Sequence, residues 1–335
     1  MGDPLTAEQV KALVIVKGDY SAGTGFVAKM HGQFFIITNQ HVLSGNKKFS
    51  MTSMDGTPYP TTGAMYGAKD YDVAMVQIPE SAAKYYLEIE DDDQNHTKAD
   101  EFVTVPGNAD GTGVPVQIHG RLVGIGPDKV EVTAMFIHGN SGSPIIYRPT
   151  GKVIGIATEV RITSMDELKT AAHADSHHWL GYRLDNIPAA TGWVKMDWAQ
   201  FSDQGLKIQK IEDVAEFMIE LLDKPTAINH SDDPQIQAAI DTYKKNSADA
   251  LTADGHLANE KDAEDYVRAL KNFVNQIHSL ATDNMKSLSY QSLYPYHATR
   301  LKEQQELWAE LDKPIADLNK KTTDLMMKIM NYQLK

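Results

Sequence analysis

At 335 residues the chain is long enough for about two domains of ordinary size and for a substantial buried core. Asp and Glu number 45 against 32 Lys and Arg, a formal charge of -13, which excludes a non-specific binder of nucleic acid or of anionic membranes, since either needs a basic surface. There is no cysteine, so disulfides, thiolate metal sites and a cysteine nucleophile are excluded as well.

Reading from the N-terminus, Met1-Gly2-Asp3-Pro4 lacks the basic and apolar regions of a signal peptide. Either the protein is not exported or the sequence begins after a removed signal. No apolar run approaches the length of a membrane span. Up to about residue 200, short β-rich runs alternate with Gly, Pro, Asn and Asp. Strands are predicted at 14–16, 25–28, 34–38, 73–78, 114–118, 122–125, 130–132, 143–147 and 153–156. Many short strands without intervening helical patterns imply an antiparallel barrel or sandwich. The acidic stretch Glu88 to Asp93 reads as a solvated turn rather than a calcium loop, because it lacks the spaced oxygen ligands and the glycine of one. His173, His177 and His178 read as solvent-exposed histidines, not as a zinc site, so no metal or other cofactor is expected.

After about 205 the period becomes helical. Ile211, Val214, Ala215, Met218, Leu221 and Leu222 form one apolar stripe, with Pro225 as its stop. Ile236, Ala239, Ile240 and Tyr243 hint at a second helix. Tyr266, Val267, Leu270, Phe273, Val274, Ile277, Leu280 and Ala281 make the strongest stripe. A last helix carries Ile315, Leu318, Leu325, Met326 and Ile329, with Pro314 near its start. The expected architecture is mainly β then α, divided as 1–203 and 204–335, the second part being a helical bundle or hairpin.

Three segments carry chemistry. Phe35-Ile36-Ile37-Thr38-Asn39-Gln40-His41-Val42 is an apolar strand ending in a histidine. Lys69-Asp70-Tyr71-Asp72-Val73-Ala74-Met75-Val76 places an Asp at the opening of a strand. His138-Gly139-Asn140-Ser141-Gly142-Ser143-Pro144 is a glycine turn centred on a serine. A serine hydroxyl needs a base within reach to take its proton, and a neutral imidazole suits that task. The imidazole needs a carboxylate on its other nitrogen. The attacked carbonyl needs backbone N–H groups aimed at its developing charge, and flanking glycines permit the turn that offers them. His41, Asp72 and Ser141 fill these roles, with the N–H groups of Gly139 and Ser141 as the oxyanion hole. Asp70 is the rival of Asp72 and Ser143 that of Ser141; the surrounding residues favour Asp72 and Ser141. His138 either lines the cleft or packs.

These segments resemble the trypsin-like (chymotrypsin-fold) serine proteases, and most of all their bacterial HtrA/Deg branch. The resemblance runs over about residues 10–190 and rests on Gly23-Thr24-Gly25-Phe26-Val27, Thr38-Asn39-Gln40-His41-Val42, Asp72-Val73-Ala74, Gly139 to Pro144, and Gly151-Lys152-Val153-Ile154-Gly155-Ile156, in the family's order. It implies a two-barrel antiparallel fold, hydrolysis of protein or peptide substrates through an acyl-enzyme, and, by family habit, a periplasmic or extracellular location. Two positions depart from the pattern: Ser143 stands where the family has a second glycine, and Met135 stands where trypsins carry the Asp that selects basic residues. A small or apolar specificity pocket involving Met135, Thr158 and Val160 is expected instead. No PDZ-like segment follows. The alternative is a protease-fold binding or regulatory module whose helical tail grips a partner or assembles copies of the chain into a homo-oligomer.

Overall fold

The computed structural model describes residues 4–163, 176–223, 230–248, 260–288 and 292–333. Contacts divide the chain into two compact units, Met1–Gly205 with Tyr294–Tyr296, and Leu206–Leu293 with His297–Lys335.

The first unit opens with a short helix α1 (Ala7–Lys11) and strands β1 (Leu13–Gly18), β2 (Ala22–Met30) and β3 (Gln33–Thr38). A one-turn helix α2 (Gln40–Leu43) follows, then β4 (Phe49–Ser53), β5 (Met65–Ala68) and β6 (Ala74–Gln77). With β13 (Trp193–Met196) these make a seven-stranded antiparallel sheet in the order β13-β5-β6-β3-β2-β1-β4. Successive side chains of a strand point to opposite faces. Phe26 and Ala28 of β2 therefore join Leu13, Ile37 and Met75 in one buried cluster, while Val27 joins Val14, Ile36 and Val76 in another. Both faces are covered, which is why these strands read as unbroken apolar runs.

The second sheet is a closed six-stranded barrel, β10-β11-β12-β9-β8-β7. Its strands are β7 (Phe102–Gly107), β8 (Val116–Ile125), β9 (Lys129–Val132), β10 (Pro144–Tyr147), β11 (Lys152–Thr163) and β12 (Ser176–Tyr182), preceded by the one-turn helix α3 (Asp93–His96). Val103, Leu122, Val130, Ile145, Ile154 and Ala157 fill its interior. Ile146, Val153 and Ile156 instead face the first cluster of the seven-stranded sheet.

Where two barrels are expected, hydrogen bonding closes one. The first sheet stays open, with β13 paired to β5 and β4 paired to β1 at its two edges. Packing on both of its faces already removes the apolar side chains from water, so burial does not depend on closure. The predicted run 122–125 and residues 116–118 of the predicted run 114–118 belong to the single strand β8, and β4, β5, β7, β12 and β13 answer to no predicted run. Pro106 and Gly107 inside β7, and the polar Ser176-His177-His178 start of β12, hide those strands from a pattern search.

The second unit holds the rest of α4 (Trp198–Asp223), then α5 (Pro234–Ser247), α6 (Glu260–Ser287) and α7 (Pro295–Gln333). Ile211, Val214, Met218, Ile236, Ile240, Phe273, Val274, Ile277, Trp308 and Leu311 share one core. Two expectations fail here. Pro314 lies inside α7 and does not start it, and Leu325, expected on the apolar stripe, is exposed. Pro225 and His173 lie outside the described residues.

Candidate functional site

Apolar β3 delivers the chain, fully buried at Thr38 and Asn39, to the single turn α2 that carries His41. Asp72 sits on the connection between β5 and β6, which β3 flanks in the sheet. The two side chains meet at two points. Asp72 Oδ1 accepts from the His41 main-chain N–H at 2.9 Å, and Asp72 Oδ2 lies 2.5 Å from His41 Nδ1. Asp72 keeps 12% of its side-chain surface exposed and His41 34%, so the carboxylate is shielded while the ring has an open side. Asp70, the rival, is exposed.

The connection is held by the two residues before His41. Gln40 Nε2 donates to the carbonyls of Ala68 (2.9 Å) and Tyr71 (2.8 Å), and Asn39 Nδ2 donates to the carbonyl of Asp72 (2.6 Å). A Cβ on Gly67 would fall 2.5 Å from Gln40 Oε1, so that glycine makes the room Gln40 occupies.

Ser141 lies in a loop of two consecutive turns. Asn140 N–H donates to Ile137 O and Ser143 N–H to Asn140 O, each closing a four-residue turn. The third residue of each, Gly139 and Gly142, has φ of +86°, the left-handed conformation that a type II turn demands there. Gly142 has a second reason: a Cβ would lie 2.0 Å from Thr24 O. β2 anchors the loop, through Thr24 N–H to Ser141 O (2.8 Å) and Thr24 Oγ1 to Gly139 O (2.8 Å). At Gly23 a Cβ would strike both the Val42 side chain, at 2.7 Å, and Ser141 O, at 2.8 Å. The absence of a side chain there lets the His41 turn and the Ser141 loop lie side by side.

Each buried main-chain donor must find an acceptor. The N–H groups of Asn140, Gly142 and Ser143 reach Ile137 O, Ala157 O and Asn140 O. Among the described residues those of Gly139 and Ser141 reach none, and the half-buried Ser141 makes no side-chain hydrogen bond to His41. Ser143, the rival serine, is wholly buried with its hydroxyl unpartnered against Gly107.

The expected pocket residues differ in what they offer to solvent. Met135 and Val160 are exposed at 64% and 41%. Thr158 instead turns its hydroxyl inward, donating to Ile156 O (3.0 Å) and accepting from Asn39 Nδ2 (3.0 Å). Ile137, not singled out in the sequence, is exposed beside the glycine turn at 48%. A cavity of about 740 Å³ opens elsewhere, lined by Lys11, Tyr59, Lys84 and Tyr85 among others. His138 is exposed, as is His177, and His178 pairs through Nδ1 with Glu131 at 2.7 Å.

The acidic stretch is the largest departure from expectation. Glu90 and Asp93 are 1% exposed, not solvated. Glu90 Oε1 takes His96 Nδ1 at 2.8 Å and Lys152 Nζ at 3.3 Å. Glu90, Asp91 and His96 bring ligand atoms within 4.8 Å of one another, but Glu90 already has these two partners, and the group reads as a charge network. Asp93 lies beside Asp185, whose carboxylate receives the Arg183 fork at 2.9 and 2.6 Å. Burial, and then the neighbouring Asp185 charge, push the Asp93 carboxyl up to about 8. Burial opposes ionisation of Asp185 too, yet Arg183 and the Asp93 N–H hold it below the usual range. Arg183 Nη1 also grips Gly126 O (2.9 Å), two residues from Asp128, whose carboxylate accepts from Tyr71 OH at 3.0 Å beside Asp72. Nothing local in the sequence marks this network, because Arg183 is 90 residues from Asp93 along the chain.

The model of the trypsin-like peptidase domain matches residues 23–156, the stretch that holds the His41 turn, the Asp72 connection and the Ser141 loop. Residues 23–156 are a trypsin-like peptidase domain. This domain is related to the HtrA/DegP serine endoproteases. A probable periplasmic serine endoprotease, DegP-like, of Rhizobium meliloti (strain 1021) is 31% identical over 147 residues, covering 41% of this chain and 28% of that protein. Serine protease HTRA4 of Mus musculus is 30% identical over 167 residues, covering 46% of this chain and 32% of that one. The chain thus spans about a third or less of the length of these relatives. Among solved structures, a serine endoprotease from Yersinia pestis aligns at 19% identity and a TM-score of 0.39, covering 53% of this chain and 63% of that one. The HtrA-type protease AlgW with tripeptide aligns at 17% identity and a TM-score of 0.41, covering 53% and 57%.

Proposed function

We propose that the peptidase domain is an active serine endopeptidase on protein or peptide substrates, with residues 1–203 as the catalytic domain and 204–335 as a helical domain. The observation that carries this is the two-point bond between His41 and Asp72 beside the Ser141 loop. His41 Nε2 takes the proton of Ser141 Oγ as that oxygen attacks the substrate carbonyl. The negative charge that develops on the carbonyl oxygen falls to the N–H groups of Gly139 and Ser141, which the loop's own turns leave unused. His41 then gives its proton to the departing amine, and water releases the acyl group by the reverse path. Asp72 holds the ring with Nδ1–H as donor and stabilises the imidazolium. The hydroxyl–imidazole bond can close when substrate fills the site. Met135 and Ile137, exposed just ahead of the serine loop in the chain, offer apolar surface, and Met135 stands where trypsins carry an acid, which suits a small or apolar side chain at the cleaved bond.

A fluorophosphonate probe and a casein substrate test the reading. Ser141 is expected to be labelled, and Ser141→Ala to lose labelling and about 10⁶-fold in kcat. Asp72→Asn should retain binding and lose about 10⁴-fold in kcat. Hydrolysis that persists in Ser141→Ala, or a wild-type protein inert to both reagents, overturns it.

A further inference from the structure

We propose that Asn39 is a positioning residue of this site, an amide clamp that sets Asp72 against His41 and ties both to the barrel. Its kinetic arm rests on the peptidase reading above; its structural arm does not.

Asn39 is wholly buried, with no solvent to substitute for a lost partner. A side-chain amide offers two N–H donors from one nitrogen. One reaches Asp72 O at 2.6 Å, the other Thr158 Oγ1 at 3.0 Å. The orientation of the amide follows from its surroundings: rotated by half a turn, Oδ1 would face the Asp72 carbonyl oxygen, acceptor against acceptor. Thr158 has given its own proton to Ile156 O, so its hydroxyl is left to accept. Oδ1, in contrast, is buried without a partner. A group that leaves its acceptor unsatisfied while both donors are engaged is placed for what those donors hold.

What they hold is the geometry of the carboxylate. Asn39 and Gln40, adjacent in sequence, grip the adjacent carbonyls of Asp72 and Tyr71. Among the described residues, Gln40 bonds only within the seven-stranded sheet and its connection. Asn39 alone of the two also reaches β11, the barrel strand that carries Thr158 and Val160. It therefore joins three parts: the chain two residues before His41, the backbone of Asp72, and the barrel. With the clamp in place, Asp72 Oδ1 and Oδ2 reach the main-chain and ring nitrogens of His41 together. Without it, the Asp72 backbone is free to move by a fraction of an ångström, and the ring loses its fixed partner.

The test uses the full chain. Asn39→Ala is expected to lower kcat tenfold or more, up to about a hundredfold, with KM within about twofold of wild type, since misplacement of this order acts on chemistry and not on substrate capture. Thr158→Ser should retain activity, while Thr158→Val should reproduce part of the loss. Combined with Asn39→Ala, Thr158→Val should add little, because both remove one bond. Independently of activity, the downfield proton of the His41 Nδ1–H···Asp72 bond is expected in the NMR spectrum of Ser141→Ala and should move or broaden beyond detection in Ser141→Ala/Asn39→Ala. Wild-type kcat in Asn39→Ala, an unmoved downfield proton, or fully additive Asn39 and Thr158 effects each overturns the clamp. If Asn39→Ala fails to fold, equal kcat in Thr158→Val and Thr158→Ser does so. If wild type is inert but the proton responds to Asn39→Ala, the peptidase reading falls and the clamp stands.

Discussion

One carboxylate that accepts both the main-chain and the ring N–H of His41 fixes the rotation of the imidazole as well as its donor nitrogen. A second carboxyl group, Asp93, shows the opposite use of burial. It is 1% exposed, neither oxygen has a hydrogen-bond donor, and it is held up to about 8 by burial and by Asp185. The folded protein therefore keeps this proton between the ordinary carboxyl range and about pH 8, while the unfolded chain has released it. Wherever the native state binds more protons, stability falls as pH rises. Asp93 is thus expected to weaken the fold progressively from about pH 4 to about pH 8 and to add no further slope above that. In Asp93→Asn, which stays neutral, urea unfolding followed over pH 4–9 should lack that component; an unchanged wild-type slope in the variant contradicts the assignment. A run of acids reads as a solvated turn because such runs are normally exposed; here burial keeps the Asp93 carboxyl neutral, with Arg183 Nε 3.7 Å from it.

The legibility of the elements follows their length and regularity. The amphipathic stripes of α4, α5 and α6 were readable because each presents one apolar face over several turns to a shared core. β1, β2, β3 and β6 were readable as apolar runs. The short strands β4, β5 and β13 were not, since four or five residues carry too little periodicity. α7 was readable only in part. Pro314 reads as a start signal, yet the helix runs for 39 residues through it. An interior proline removes one ladder hydrogen bond and crowds the preceding turn. The flanking contacts of Trp308, Leu311 and Ile315 with the helical core keep the helix continuous. Pro314→Ala is expected to stabilise the second unit by about 1–3 kcal/mol, measured as a raised urea midpoint with unchanged slope. A lowered midpoint would mean that the proline shape is itself required for packing.

At the level of the molecule, the two units carry buried ionisable groups of opposite sense. His297, wholly buried in the second unit, is pushed down to about 3, by burial first and then by the Arg300 charge. Its unfolded form takes up a proton below about pH 6.5 and its folded form does not, so this group removes stability as pH falls from about 6.5 towards 3. Asp93, in the first unit, adds stability over most of the same interval. Acidification from pH 7 to pH 5 is therefore expected to lower the unfolding midpoint reported by Trp308 in a variant whose other tryptophans are replaced. His297→Gln should flatten that fall, and a fall of equal size in the variant counts against it.

The linear order of residues was enough to determine the β-then-α division, the three chemistry-bearing segments and their likeness to trypsin-like peptidases, because periodicity and short motifs are local properties of a chain. Only the tertiary structure decided that one sheet closes and the other does not. It alone showed that Asn39 spans from Asp72 to Thr158 and that Arg183 lies against both Asp93 and Asp185. Those outcomes depend on which distant backbone groups come within hydrogen-bond reach, and distance through space is not encoded in any single segment.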